Sequence, residues 1–454
     1  MIWIIAVLSG LIFSFVLIST RGTFYSLARN SVSLLNIILS DIDDDDKMSF
    51  LIKNLKKTIV STILFLLVII LLVFIAIFPS IVFSYFINNT LEIQILEFPE
   101  ILLFGAGTVI PFLFQRKSNS DYSEISKLFH ELVLDNYYLG KRLFKFQIKK
   151  INSIAEEFVI VSGLARSGTT ALTLALSTKG PFRSLNYANM PFLLSPKLWA
   201  VLYKPKSKTL KERKHGDKIK IGLDSVEALE EYFFKVFLKD SFIKENTLVQ
   251  HQVDETIYSQ YLKYQKSIAG DKIYLAKNNN LILRFESLRK QNNKFHAIFM
   301  FRDPVSHARS LLAQHTKFLD FQAKDKFILK YMNWLGHHEF GEGHKIFTFE
   351  EQQNFGDPKS INYWIRIWIN YYKNLLSINQ KYFLLEYHDF LKYPEEFIHA
   401  LSNLTDIELS TDGINKFTKE METRCEDCDP LILKEANNIY SELQKKKEKL
   451  KSGI

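Results

Sequence analysis

Apolar and polar positions fall into two regimes along this chain. Residues 1–20 contain no charged side chain, and Arg21 closes the run; that length is enough to cross a bilayer. Residues 58–91 are again uncharged, and 59–78 are almost purely Ile, Leu, Val and Phe, with Lys53, Lys56 and Lys57 just ahead of them. The pattern predicts a transmembrane helix at 59–78. It predicts a retained anchor at 1–20, because a cleaved signal would show a positive first region and a small-residue cleavage site. A third apolar segment, 98–114, is shorter, and a re-entrant or interfacial helix competes with a span there. Arg21, Arg29, Lys53, Lys56 and Lys57 fill the stretch after the first helix, whereas Glu92, Glu97 and Glu100 follow the second. An excess of Lys and Arg marks the cytoplasmic side. Three spans place Arg116, Lys117 and everything after them in the cytoplasm; two would place them on the other side. We expect three, making 1–117 a multi-pass region in contact with the lipid bilayer.

Beyond residue 117 the pattern changes. Residues 118–155 mix apolar and basic positions at helical spacing (Leu128, Leu132, Leu134, Tyr138, Leu143, Phe146), which predicts amphipathic connecting helices. From 156 to 454, short β-branched or aromatic runs at 158–161, 273–276, 297–301 and 382–387 alternate with helical patterns at 225–238, 305–315 and 363–377. Alternation of this kind predicts an α/β domain, a parallel sheet flanked by helices with its chemistry at the carboxyl ends of the strands. The Lys-rich stretch 445–451 reads as a solvated helix end.

Charge sharpens the division. Of 454 residues, 47% are hydrophobic and 24% charged, which excludes a disordered chain or a disulfide scaffold. Residues 1–114 hold six Lys/Arg against eight Asp/Glu, leaving 52 against 41 in the remainder. A basic body favours anionic partners. Its cations are spread rather than interleaved with aromatics, so nucleic acid is not expected. Asp41 to Asp46 lack the spacing of a calcium loop and read as a solvated acidic turn. Cys425 and Cys428, the only cysteines, have no second pair to complete a zinc site and read as incidental thiols near a turn. No metal-ligand spacing is visible.

The first candidate chemistry follows the first strand. Ser162-Gly163-Leu164-Ala165-Arg166-Ser167-Gly168-Thr169-Thr170 joins strand to helix, the arrangement that wraps a phosphate in backbone N–H groups. Gly163 and Gly168 have P-loop spacing, yet Thr169 stands where a triphosphate-binding Lys belongs, and the cation sits inside the loop as Arg166. The second candidate is Arg302-Asp303-Pro304, after the third strand, with Ser310 eight residues after Arg302. Arg302 offers a bidentate fork to a phosphate. Asp303 and Pro304 suit a helix start.

Together these two stretches resemble the phosphate-binding motifs of sulfotransferases that use 3′-phosphoadenylyl sulfate (PAPS). Softer similarity to a bacterial subfamily runs through His215-Gly216-Asp217, 224–228, Lys277-Asn278-Asn279-Asn280 and Glu386-Tyr387-His388-Asp389, so that the resemblance covers roughly 156–443. It implies Arg166, Ser167, Gly168, Thr169 and Thr170 around the 5′-phosphosulfate, and Arg302 and Ser310 around the 3′-phosphate. It also implies Lys277 near the transferred group, no metal, and a hydroxyl or amine acceptor. Anchoring in a membrane makes a glycan or lipid acceptor the natural class. The family's usual bases are missing: Asn279 stands two residues after the lysine, where cytosolic members often have His. The segment after the first loop reads Asn186-Tyr187-Ala188-Asn189, with no Glu. His215 and Glu227 are the candidate bases; Glu230 and Glu231, on the same helical pattern, read as solvated carboxylates. The competing readings are a P-loop kinase or NTPase, and a membrane-anchored anion-binding protein without catalysis.

Overall fold

A computed structural model describes residues 2–40, 44–88, 98–113, 124–154, 156–202, 211–212, 220–221, 228–349, 354–413 and 426–447. The chain divides into two compact units, Met1–Leu139 and Gly140–Ile454, and the division falls inside the connecting stretch expected at 118–155.

The first unit is helical: α1 (Ile2–Ile38), α2 (Asp44–Asn88), α3 (Phe98–Leu113) and α4 (Glu124–Leu134). Both long helices outrun the sequence estimate. Arg21 ends the apolar run but breaks no backbone hydrogen bond, so α1 continues to Ile38. Asp44 to Asp46 begin α2. Two helices, Trp3–Ile38 and Asp46–Phe78, are long and apolar enough to cross a membrane. Only 11% of the apolar window of Asp46–Phe78 is buried, and Ile70 and Phe74 stand 64% and 56% exposed. A core helix of a soluble protein would bury such a surface. Polar residues join α1 to α2 beyond the apolar run: Asn30 Nδ2 donates to Ser61 Oγ at 3.1 Å and Ser33 Oγ to Asn54 Oδ1 at 3.2 Å. α3 has 16 residues with Pro111 inside it. It lies close to α1, since a Cβ on Gly10 would fall 2.2 Å from the Phe104 carbonyl oxygen and one on Gly107 2.3 Å from that of Val7. Ser14 Oγ donates across the same contact to Thr108 O at 2.5 Å. Small residues permitting such approach are the usual basis of helix contacts in lipid.

The second unit opens within α5 (Tyr137–Ile148), which buries Phe144 against Phe233, Phe237 and Tyr264 and leaves Phe146 exposed. A five-stranded sheet follows: β1 (Phe158–Ser162), β2 (Phe182–Arg183), β3 (Ile273–Lys277), β4 (His296–Phe301) and β5 (Phe383–Glu386). The spatial order is β2-β3-β1-β4-β5, and every pairing is parallel. Helices α6 (Thr169–Lys179), α7 (Glu231–Phe237), α8 (Pro304–Lys324), α9 (Ile361–Ser377), α10 (Pro394–Thr405) and α11 (Pro430–Lys446) surround it. Strands covered on both faces read as unbroken apolar runs, and β1 is buried at all five positions. On one face Val159, Val161, Leu275, Ile298, Met300 and Leu385 pack with Leu172 and Leu176 of α6 and Phe397, Ile398 and Leu401 of α10. The expected α/β architecture is therefore present, preceded in sequence by two long apolar helices.

Two minor expectations change. Cys428 is buried and disulfide-bonded, not a free thiol; Cys425 lies outside the described residues. Lys447 is not a solvated tail residue: it bridges Glu386 Oε2 at 2.8 Å and Asp389 Oδ2 at 2.7 Å. Burial alone would lower the Lys447 pKa, but the two carboxylates outweigh it and raise it.

Candidate functional site

The loop between β1 and α6 holds an unusual backbone. Gly163, Arg166 and Gly168 have φ of 148°, 71° and 100°, a region that L side chains other than Gly rarely enter. A Cβ on Gly168 would lie 2.1 Å from Cδ2 of Tyr387, so the glycine is required by packing as well as by conformation. Arg166 accepts a strained φ in the middle of the loop, a feature concentrated at functional sites. Ser167 and Thr169 are buried, whereas Arg166 and Thr170 are partly open.

One element of this loop was not legible in the sequence. His307, on α8, shares a hydrogen bond of 2.7 Å between its Nε2 and the carbonyl oxygen of Ala165. Its side chain is fully buried, and burial, aided by the Arg302 and Arg166 guanidiniums, pushes its pKa down to about 3 despite the carbonyl contact. The imidazole is thus neutral near pH 7, and its Nε2–H donates to Ala165 O, tying the loop to α8. In the sequence this residue is one polar position in a helical pattern, with nothing to separate it from a surface histidine.

The second loop starts α8 as expected. Asp303 Oδ1 accepts from the Ser306 amide at 2.8 Å, capping the helix, and Pro304 occupies its first turn. Arg302 Nε donates to Ser306 Oγ at 3.2 Å, and its guanidinium lies 5.7 Å from the Tyr387 ring centroid. Burial lowers the Arg302 pKa; Tyr387 opposes that shift and Arg166 adds to it. Two arginines from distant parts of the chain therefore feel one another. The motifs also touch: Arg166 Nε donates to Ser310 Oγ at 3.2 Å across 144 residues of sequence. Beside them, Glu386 at the end of β5 accepts from the Tyr440 hydroxyl and pairs with Lys447, which fixes the start of the segment carrying Tyr387.

Lys277 ends β3 next to the loop. It pairs with Val161 in the parallel register and is 6% exposed. The three asparagines after it diverge. Asn278 Nδ2 donates to Glu230 Oε1 at 3.0 Å and Glu231 Oε2 at 3.1 Å; Asn280 Nδ2 donates to Gly336 O at 3.1 Å; Asn279 Nδ2 donates to Glu339 Oε1 at 3.0 Å. Glu230 and Glu231, expected as solvated carboxylates, are only 2% and 3% exposed. Glu231 forms a bidentate pair with Arg284, at 2.5 and 2.7 Å. Burial alone would raise the Glu231 pKa, but Arg284 outweighs it and holds the group below the usual carboxylate range. Glu230, accepting from the Tyr261 hydroxyl at 2.6 Å, is raised by burial. Their charge is absorbed internally, which the helical spacing alone does not reveal. His215 and Glu227, the candidate bases, lie outside the described residues. Among the described residues no cluster of three or more His, Cys, Asp and Glu is placed to hold a metal ion.

Burial sets the response to acid. It depresses His251, His338 and His344 to about 4, and His307 to about 3. In the unfolded chain these groups titrate near 6.5, so between pH 6.5 and 4 the unfolded state binds more protons, and their contribution to stability is lost as pH falls. Glu230, raised by burial, works in the opposite sense, but four imidazoles outweigh one carboxyl. The denaturant midpoint is expected to be lower at pH 5 than at pH 7; an equal or higher midpoint at pH 5 contradicts this.

No family model matches the chain, and no curated protein matches it. Two solved structures are similar. Sulfotransferase STF1 from Mycobacterium tuberculosis H37Rv (type 1 form) is 12% identical over 64% of this chain and 80% of that one, with a TM-score of 0.37. Sulfotransferase STF9 from Mycobacterium avium is 13% identical over 81% of this chain and 96% of that one, with a TM-score of 0.41. At that distance, the roles of individual residues rest on the two loops themselves.

Proposed function

We propose that the chain is a sulfotransferase, moving a sulfuryl group from PAPS to a hydroxyl or amine of an acceptor, with a glycan or lipid as the acceptor class. The observation that carries this reading is the contact between Arg166 and Ser310. It brings the loop suited to a 5′-phosphosulfate to the loop suited to a 3′-phosphate, so that one nucleotide can engage both. In this reading Ser167, Gly168, Thr169 and Thr170 surround the 5′ side with the loop amides, while Arg302 and Ser310 hold the 3′-phosphate. Transfer is an in-line displacement at sulfur, and charge builds on the leaving 5′-phosphate. In this reading Arg166 and Lys277 offset that charge, the usual source of catalysis where positioned cations meet a developing anion. A triphosphate-transferring enzyme would need a lysine where Thr169 stands.

The test is transfer of labelled sulfate from PAPS into whole-membrane extract by the full chain. Label in a membrane product, absent with Arg302→Ala, is expected; label no higher for the native chain than for the variant contradicts the reading.

In the same proposal α1 and α2 cross the bilayer and α3 forms a third, short segment beside α1, with the enzyme on the cytoplasmic side. Sixteen residues of α3 rise about 24 Å against a hydrocarbon core of about 30 Å, a mismatch that local thinning accommodates. A reporter active only in the cytoplasm, fused after Ile454, is expected to be active. An inactive one reduces the spans to two.

A further inference from the structure

We infer that Glu339 is the general base that takes the proton from the acceptor. The inference rests on the sulfuryl-transfer reading above and supplies the group that reading lacks. Val161 of β1 and Lys277 of β3 are register partners, and the Asn278 amide donates to Val161 O at 3.0 Å. The end of β3 therefore lies one strand spacing, about 4.8 Å, from the start of the phosphate loop. Asn279 is two residues beyond Lys277, at most about 7 Å along the backbone. It is 93% buried, being 7% exposed, and its Oδ1 has no hydrogen-bond partner. Its Nδ2 holds Glu339 Oε1 at 3.0 Å.

Glu339 differs from the other carboxylates at this edge. Glu230 and Glu231 are sealed in the interior and bonded to Tyr261, Asn278 and Arg284. The Glu339 side chain is partly open to solvent, and the Asn279 amide is its single hydrogen-bond partner among the described residues. The segment that carries it is fixed on both sides: Asn280 Nδ2 donates to Gly336 O at 3.1 Å, and His338 Nδ1 lies 3.1 Å from Gly343 O. The Glu339 carboxylate thus keeps one oxygen without a partner among the described residues, suited to a hydroxyl or ammonium donor, while Asn279 holds the other.

In the step, a Glu339 oxygen accepts the acceptor's O–H proton while the acceptor oxygen forms a bond to sulfur. The bond between sulfur and the 5′-phosphate oxygen breaks, and its electron pair leaves on the phosphate. The products are a sulfate ester and adenosine 3′,5′-bisphosphate, and protonated Glu339 returns its proton to water. Asn279, where cytosolic sulfotransferases often have His, then orients a base instead of being one.

The test compares Glu339→Gln with Glu339→Asp in the full chain. Gln keeps an oxygen for Asn279 and removes the basicity; Asp keeps a carboxylate. Removal of a general base typically costs about 10²–10⁴-fold. Glu339→Gln is expected to lower the turnover of labelled-sulfate transfer from PAPS by at least about 10²-fold, with melting temperature and affinity for adenosine 3′,5′-bisphosphate as in the native chain. Glu339→Asp is expected to retain more activity than Glu339→Gln. Transfer by Glu339→Gln at a native rate overturns the inference and leaves the sulfotransferase reading standing. A parallel loss of nucleotide affinity or melting temperature also overturns it, by making Glu339 structural. A native chain that neither binds the bisphosphate nor transfers label overturns both.

Discussion

Arg284→Met is expected to destabilise the second unit by about 3–5 kcal/mol, the range for removing one partner of a buried ion pair. Arg284 and Glu231 are 1% and 3% exposed and joined by two hydrogen bonds. The guanidinium also lies 4.0 Å from the Phe234 ring centroid and donates to His251 Nε2 at 3.0 Å. Methionine fills comparable space but leaves the Glu231 carboxylate in the interior with Asn278 as its remaining hydrogen-bond donor among the described residues. Against the usual total of about 5–15 kcal/mol, such a loss is a large fraction of stability. Adding Glu231→Leu removes the orphaned charge and is expected to restore much of it, because an apolar pair of similar volume is often neutral or better. Denaturant midpoints of the two variants check this. A single variant within about 1 kcal/mol of the native chain means that the pair is not held as described.

Arg302→Ala is expected to weaken binding of adenosine 3′,5′-bisphosphate by about 10–100-fold, the loss that follows from a charge-assisted hydrogen bond worth about 1.5–3 kcal/mol. The loss is selective. Arg302 is assigned to the 3′-phosphate, so adenosine 5′-monophosphate, which lacks that group, is expected to bind the variant and the native chain alike. Calorimetric titration with both nucleotides separates a lost phosphate contact from a collapsed loop. Equal weakening for both nucleotides contradicts the assignment.

Much of this architecture is written locally. The strands at 158–161, 273–276 and 297–301 were visible because parallel strands buried on both faces are short, continuous apolar runs. The two loops were visible because glycine spacing, an internal arginine and an Arg-Asp-Pro turn are local features. What could not be read depends on contacts between distant residues. Glu230 and Glu231 carry the pattern of a solvated helix face, and their burial follows from Arg284 and Asn278, about 50 residues further on. His307 anchors Ala165 across 142 residues, and Asn279 meets Glu339 across 60. Neither pairing leaves a trace in spacing or composition. The limits of the long apolar helices were missed for a different reason. The limits drawn at charged residues marked where the apolar surface ends, not where the backbone stops being helical, and α1 passes through Arg21 without interruption.

The direct test of the two-loop site is the melting temperature of the full chain with adenosine 3′,5′-bisphosphate in the absence of Mg²⁺. A ligand that binds only the folded state raises stability by about 2.7 kcal/mol at a hundredfold excess over its dissociation constant. A clear upward shift with the bisphosphate, lost in Arg302→Ala and not matched by ATP with Mg²⁺, is the expected result. A shift with ATP that requires Mg²⁺, and none with the bisphosphate, would contradict it.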